Sequence, residues 1–269
     1  MVLPRRIERL SHRFTVGVLI AIESSHVAVH KWFQAAHLMA SSKKGISAHQ
    51  LHRTLKVTYK TAWFMAHRLR EAMRPTDMSP MGGPGGIVEA DETYIGKTEG
   101  APTKLHTGGS RHRNIVLTLV ERGGSARSFH IDGKAISDVM PIVRENVKRE
   151  TRINTDEAKH YYDVGKDFAG HDTVTHSADE YVRYTNARKF PTGEEYVIHT
   201  NTVEGYYSVF KRGMKGVYQH CAEKHLHRYL SEFDFRYSNR SALGIEDGER
   251  RTLAIKGAAG KRLTYRGRH

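Results

Sequence analysis

Three acidic residues far apart in the chain, Asp91, Asp156 and Glu204, have the side-chain chemistry to hold a hard divalent cation. Asp91 lies in "GIVEADETYIG" (86–96), a β-rich run. Asp156 ends "TRINTDEA" (151–158), another strand-like run. Glu204 lies in "HTNTVEG" (199–205), at the start of a segment that reads as a helix. Carboxylates on separate elements can grip two ions about 3.5–4 Å apart and leave them open to a phosphate, as an in-line phosphoryl displacement requires. Taken singly, each of these residues also suits a strand-end turn or a solvated helix face. The set of three carries the signal. Within the same heptapeptide Asn201 precedes Glu204 by about one helical turn. Lys211 follows Glu204 by seven residues, two turns, and so shares its side.

The elements that must position these residues come in two sorts. From Gly86 onward the pattern is that of strands: 86–96, 113–124 ending in a Gly-Gly turn, and 125–132 returning as its hairpin partner. A helix is expected over about 136–148, a strand over 151–158, a helical stretch around "HYYDVGKDF", and a short strand over 172–177. Helices are expected over 200–213 and 220–238. This is an α/β domain with a mixed sheet. A helix crossover returning after a three-stranded meander makes the first and fourth strands neighbours, and sets Asp91 beside Asp156.

Upstream the pattern is helical. Residues 30–40 carry apolar side chains at helical spacing. Ser47 can cap a short helix through Leu55, and a longer helix is expected from Tyr59 to Met73 with Ala62, Met65, Ala66, Leu69 and Met73 on one face. Short helix, tight turn and longer helix make a helix-turn-helix pattern, whose second helix would offer Thr58, Tyr59, Lys60 and Thr61 to base edges. An ordinary helical hairpin has the same pattern. "RPTDMSPMGGPGG" (74–86) reads as a linker. The domains expected are thus a helical region over 1–75, a linker over 76–86, an α/β domain over 87–240 and a basic tail over 241–269.

Charge supports a polyanionic partner. The 269-residue chain has a net charge of +14, with 38% hydrophobic and 27% charged residues. Residues 1–86 hold 13 Lys/Arg against 4 Asp/Glu, residues 87–240 hold 23 against 22, and residues 241–269 hold 7 against 3. Basic flanks around a nearly neutral middle suit segments that track phosphates beside a central domain. A single cysteine, Cys221, excludes an intramolecular disulfide and a Cys-based zinc finger. His220, Cys221, His225 and His227 could ligate zinc, but His225 and His227 face different sides of a helix. "GGPGG" lacks the Gly-Lys-Ser/Thr of a phosphate-cradling loop. Arg5, Arg6, Arg9 and Arg13 before "FTVGVLIAI" mimic a signal peptide, yet the run is short and no A-x-A site follows. No stretch approaches the ~20 apolar residues of a membrane span.

Three long segments, "VEADETYIGK", "TDEAKHYYDVGKDFAGHDTVTHSADEYV" and "HTNTVEGYYSVFKRGMKGVYQHCAEKHLHRYLSEFDFRYSNR", resemble the ISXO2-like transposases of the IS1595 insertion-sequence family. The helical segment 41–73 is similar to what precedes their catalytic domain, and the resemblance covers about residues 30–265. It implies a DDE-type transposase with an RNase-H-like fold that cuts and joins double-stranded DNA at the ends of a mobile element, using two Mg²⁺ or Mn²⁺ ions. By motif, Asp91 and Asp156 match the two aspartates. The third position in the family is Asn or Glu followed by Lys, and here Glu204 ranks ahead of Asn201, with Lys211 beside the metals on a DNA phosphate and Arg212 next to it. The resemblance further implies a dimer or larger assembly on DNA, in the cytoplasm with the nucleoid. The chain departs from the family in lacking its Cys-rich zinc ribbon and in having Gly96-Lys97 where Gly-Gly often follows "YI". These departures fit an N-terminally shortened or decaying copy. A helix-turn-helix protein that no longer catalyses, and an RNase-H-like nuclease that cuts without joining, are the alternatives.

Overall fold

The structure is a computed structural model that describes residues 25–101, 113–131, 139–158, 161–162, 164–174, 182–189 and 195–261. In chain order its main elements are α1 (Val29–Ser41), α2 (Ala48–Leu55), α3 (Tyr59–Met73), β1 (Ile87–Ile95), β2 (Asn114–Glu121), β3 (Ala126–Ile131), α4 (Val139–Asn146), β4 (Arg152–Asp156), β5 (Gly170–Val174), β6 (Arg183–Lys189), β7 (Glu195–Ile198), α5 (Asn201–Gly213), α6 (Leu226–Ser238) and α7 (Asp247–Lys256). They fall into two compact units. One takes the chain up to Thr76 with Arg212–Gln219 and the chain from Arg228 onward. The other takes Asp77–Lys211 with His220–His227.

The first unit is helical. Ser47 caps α2 by accepting from the Gln50 N–H at 3.1 Å. Lys56, with φ 50°, turns the chain out of that helix, and Thr58 caps α3 by accepting from the Thr61 N–H at 3.1 Å. Trp32, Ala35, Ala36 and Met39 from α1 pack with Leu51, Leu55, Ala62, Met65, Ala66, Leu69 and Met73. The apolar face expected of α3 is therefore its buried face. Arg70, also buried, donates to Glu232 of α6 at 2.7 Å. Tyr218 donates to the same carboxylate at 2.6 Å, and Arg236 pairs with it too. Burial alone would raise the Glu232 pKa, but Arg236 and Arg70 outweigh it and hold the carboxyl below its ordinary value. The segment 241–269, expected as a basic tail, contains α7. Its Ala254 and Ile255 enter the same core, and its buried Arg250 donates to the Asn239 carbonyl at 2.6 Å and the Ile245 carbonyl at 2.8 Å.

The second unit is built on a five-stranded sheet of order β3-β2-β1-β4-β5. β1 runs antiparallel to β2 and parallel to β4, and β4 runs parallel to β5. The first and fourth strands are neighbours, as the meander-and-crossover argument requires. Alternation along β1 separates two faces. Val88 and Ala90 pack with Leu117, Leu119, Ile153, Val139, Val143, Tyr161 and Val164, a face covered by α4. Ile87, on the other face, packs with Val174, Tyr196 and Ile198. A second sheet pairs β6 with β7 antiparallel, a hairpin that the sequence pattern did not suggest. The strand expected over 172–177 begins earlier, at Gly170, and its last residues lie outside the described ones. Likewise only part of the helical stretch expected around "HYYDVGKDF" is described, with a 3-10 turn over Val164–Lys166. Among the described residues no helix is long and apolar enough to cross a membrane.

Candidate active site of the α/β unit

The parallel register between β1 and β4 sets the site. Glu89 pairs with Asn154, so two residues further along each strand Asp91 and Asp156 reach matching positions. Glu89 and Asp91 share one face of β1, and Asn154 and Asp156 share one face of β4. The Asp91 carboxylate accepts from the Glu92 N–H at 2.8 Å, and the Asp156 carboxylate accepts from the Ala158 N–H at 3.0 Å. From α5, Tyr207 donates its phenol to the Asp91 carbonyl at 2.5 Å and to the Val116 carbonyl at 3.1 Å. That pair of bonds seats the helix across β1 and β2 directly behind Asp91.

The carboxylates feel one another. Burial pushes the Asp91 carboxyl up to about 7, and the negative charges of Glu92, Asp156 and Glu204 add to the rise, against the bond from the Glu92 N–H. A site that accumulates negative potential to this degree fits a hard cation, whose charge would relieve it. Among the described residues, however, no three His, Cys, Asp or Glu side chains close into a metal-binding cluster. Glu204 is turned to Thr200, whose hydroxyl donates to its Oε1 at 2.9 Å.

The start of α5 is held by a residue that the sequence reading did not single out. Glu89, fully buried, accepts from the N–H groups of Thr202 at 2.8 Å and Val203 at 3.0 Å, and from the Thr202 hydroxyl at 2.8 Å. Arg122 donates to Glu89 at 2.6 Å, and its other nitrogens donate to the carbonyls of Val197 at 2.5 Å and His199 at 2.8 Å. Asn154 donates to the same His199 carbonyl at 3.2 Å. His199 Nδ1 comes within 3.0 Å of Glu89 without hydrogen-bond alignment. Burial and the Arg122 charge keep its imidazole below the ordinary histidine pKa. The available signal was strand parity: an acidic residue two before Asp91 must share its face.

The other expected site residues are placed as follows. Asn201 opens α5 and is exposed. Lys211 is half-buried, with its ammonium 5.7 Å from the centre of the Tyr207 ring, so it stands on the side of α5 that reaches Asp91. Arg212 is exposed and belongs to the helical unit. Thr58, Tyr59 and Lys60 are exposed at the start of α3 and Thr61 is half-buried. Tyr59 stacks on His49 with ring centres 4.4 Å apart, and the hydroxyls of Thr58 and Thr61 lie 2.8 Å apart.

No curated protein matches the chain. Residues 84–238, more than half of the chain, match the ISXO2-like transposase domain, a span that takes in β1, β4 and α5 with Asp91, Asp156 and Glu204. The chain belongs to the ISXO2-like transposase domain family.

Proposed function

We propose that this protein is a metal-dependent DNA transposase with an RNase-H-like catalytic domain, which cuts DNA at the ends of an insertion sequence and joins the freed ends to a target. The observation that carries this reading is the parallel register of β1 and β4, which brings Asp91 and Asp156 to matching positions within a domain of the transposase family. The negative charges of Asp156 and Glu204 help to raise the Asp91 pKa, which supports grouping the three carboxylates.

Asp91, Asp156 and Glu204 are the residues that would hold Mg²⁺ or Mn²⁺, and Asn201 is the alternative third ligand through its carbonyl oxygen. A pair of such ions supplies, when bound, a water of lowered pKa and charge neutralisation at the departing oxygen. In the first step water adds to the phosphorus at the element's end, the P–O3′ bond breaks, and a free 3′-hydroxyl is left. In the second that hydroxyl attacks a target phosphorus and displaces the target's own 3′-oxygen. Lys211, carried beside Tyr207, holds a backbone phosphate, with Arg212 adding charge next to it. Thr58, Tyr59, Lys60 and Thr61 would offer side chains to the major groove as the start of a recognition helix. Because two ends join one target, the working form is a dimer or larger assembly on DNA, in the cytoplasm with the nucleoid.

The test is strand transfer in Mg²⁺ or Mn²⁺ on a plasmid carrying the element's terminal repeats. Joined products in the presence of metal, and none with chelator, are expected. Cutting without joining would indicate a nuclease on the same fold, and end-specific binding without cutting would indicate a DNA-binding protein that no longer catalyses.

A further inference from the structure

We propose that Glu89 is a positioning residue for the carboxylate site: it fixes the start of α5 to β1 so that Glu204 is delivered to Asp91 and Asp156. The inference rests on the reading of those three carboxylates as the metal-holding set.

A carboxylate with no solvent exposure is costly unless its lone pairs are filled. Those of Glu89 are filled. Oε1 takes the Arg122 Nε–H and the Thr202 hydroxyl, and Oε2 takes the Thr202 and Val203 N–H groups. Two of the four orphan donors at the start of α5 are thus satisfied by a residue more than a hundred positions upstream, and its charge lies at the positive end of the helix. Thr200 is the residue that would ordinarily do this from the N-cap position, since its carbonyl accepts the first helical bond, from the Glu204 N–H at 3.1 Å. Its hydroxyl donates to Glu204 Oε1 at 2.9 Å. Glu89 and Asp91 sit two apart on one strand, so the group that seats the helix and the group the helix must reach move together. Arg122 extends the clamp to the chain entering α5 through the carbonyls of Val197 and His199. A glutamine at position 89 would keep the shape, but its amide would turn a donor toward donors.

The experiment uses the full chain and Mn²⁺ alone as probe, with affinity read by electron paramagnetic resonance and hydrogen exchange read at Thr202 and Val203. Glu89→Gln is expected to speed exchange at those two amides and to weaken Mn²⁺ binding about 10- to 100-fold, the usual effect of removing a group that orients a metal ligand. In a Glu204→Ala background Glu89→Gln should weaken Mn²⁺ no further, because Glu89 acts through Glu204. Arg122→Gln, which removes the charged donor to Glu89 and its ties to Val197 and His199, should also speed exchange and weaken Mn²⁺, and it decides the matter if Glu89→Gln does not fold. Unchanged Mn²⁺ affinity in Glu89→Gln, or in Arg122→Gln if that variant must decide, overturns the proposal, as do losses that add in the double variant. A wild-type chain that binds no Mn²⁺ would instead remove the carboxylate reading itself, and this positioning role with it.

Discussion

At the scale of single residues, Asp91 bears a cost that the fold creates. Its carboxyl titrates near 7 in the folded protein and near 3.9 in an unfolded chain. Between those values the native state holds a proton that the unfolded state has lost, so stability falls as pH rises through this window and levels off above it. Asp91→Asn removes the cost. In chelator the variant should match wild type at pH 4 and exceed it at pH 8, by about 4 kcal/mol at most, from ~1.4 kcal/mol per pKa unit. Mg²⁺ should narrow the gap at pH 8 by stabilising the ionised wild type. Denaturant midpoints at the two pH values check this, and a gap that is the same at both would contradict the electrostatic account. Asp91, Asp156 and Glu204 stood out as a set because they fall on three separate strand- and helix-like segments that also carry the family resemblance. The arrangement around them was not. A side chain that caps a helix 112 positions downstream leaves no local spacing, and only the parity of β1 hinted at Glu89.

Elements were legible where local chemistry decided them. α3 runs over the residues expected because Thr58 supplies a cap at one end and Ala62, Met65, Ala66, Leu69 and Met73 supply a continuous apolar face. Thr58→Ala should therefore destabilise the helical unit by about 1 kcal/mol, measured in a denaturant titration, with the loss of one N-cap bond as the cause. An unchanged midpoint would mean that the cap is replaced by solvent at no cost. Gly213 makes a sharper demand. A Cβ there would come within 2.5 Å of both the Lys44 carbonyl oxygen and the Phe233 ring, so Gly213→Ala should lower the melting temperature by several degrees. No local pattern marks β6, whose "RYTNARK" lacks apolar alternation, or α7, whose apolar residues Leu253, Ala254 and Ile255 run consecutively among charges. β6 pairs with the nearby β7, while α7 depends on partners that are distant in sequence. The 200–213 and 220–238 readings differ in outcome: α5 runs from Asn201 to Gly213, while α6 starts only at Leu226, after a 3-10 turn over Glu223–His225.

For the whole molecule, charge and family membership set the expectations. On the proposed function, a net charge of +14, concentrated outside 87–240, should make DNA affinity strongly salt-dependent. Lys60→Ala should weaken binding to specific and non-specific duplexes alike and reduce the slope of log K against log salt by about 1, the signature of one lost phosphate contact. An unchanged slope would remove Lys60 from the interface. Positive charge alone would not cut DNA, so the proposed catalysis stands on the acidic site. The most direct test compares wild type with Asp156→Ala for Mn²⁺-dependent cleavage of a duplex bearing the element's end, with binding to that duplex measured in parallel. The account predicts equal binding and a cleavage rate lower by roughly 10³-fold or more, the loss of charge stabilisation at the reacting phosphate. Equal cleavage by the two proteins would contradict it.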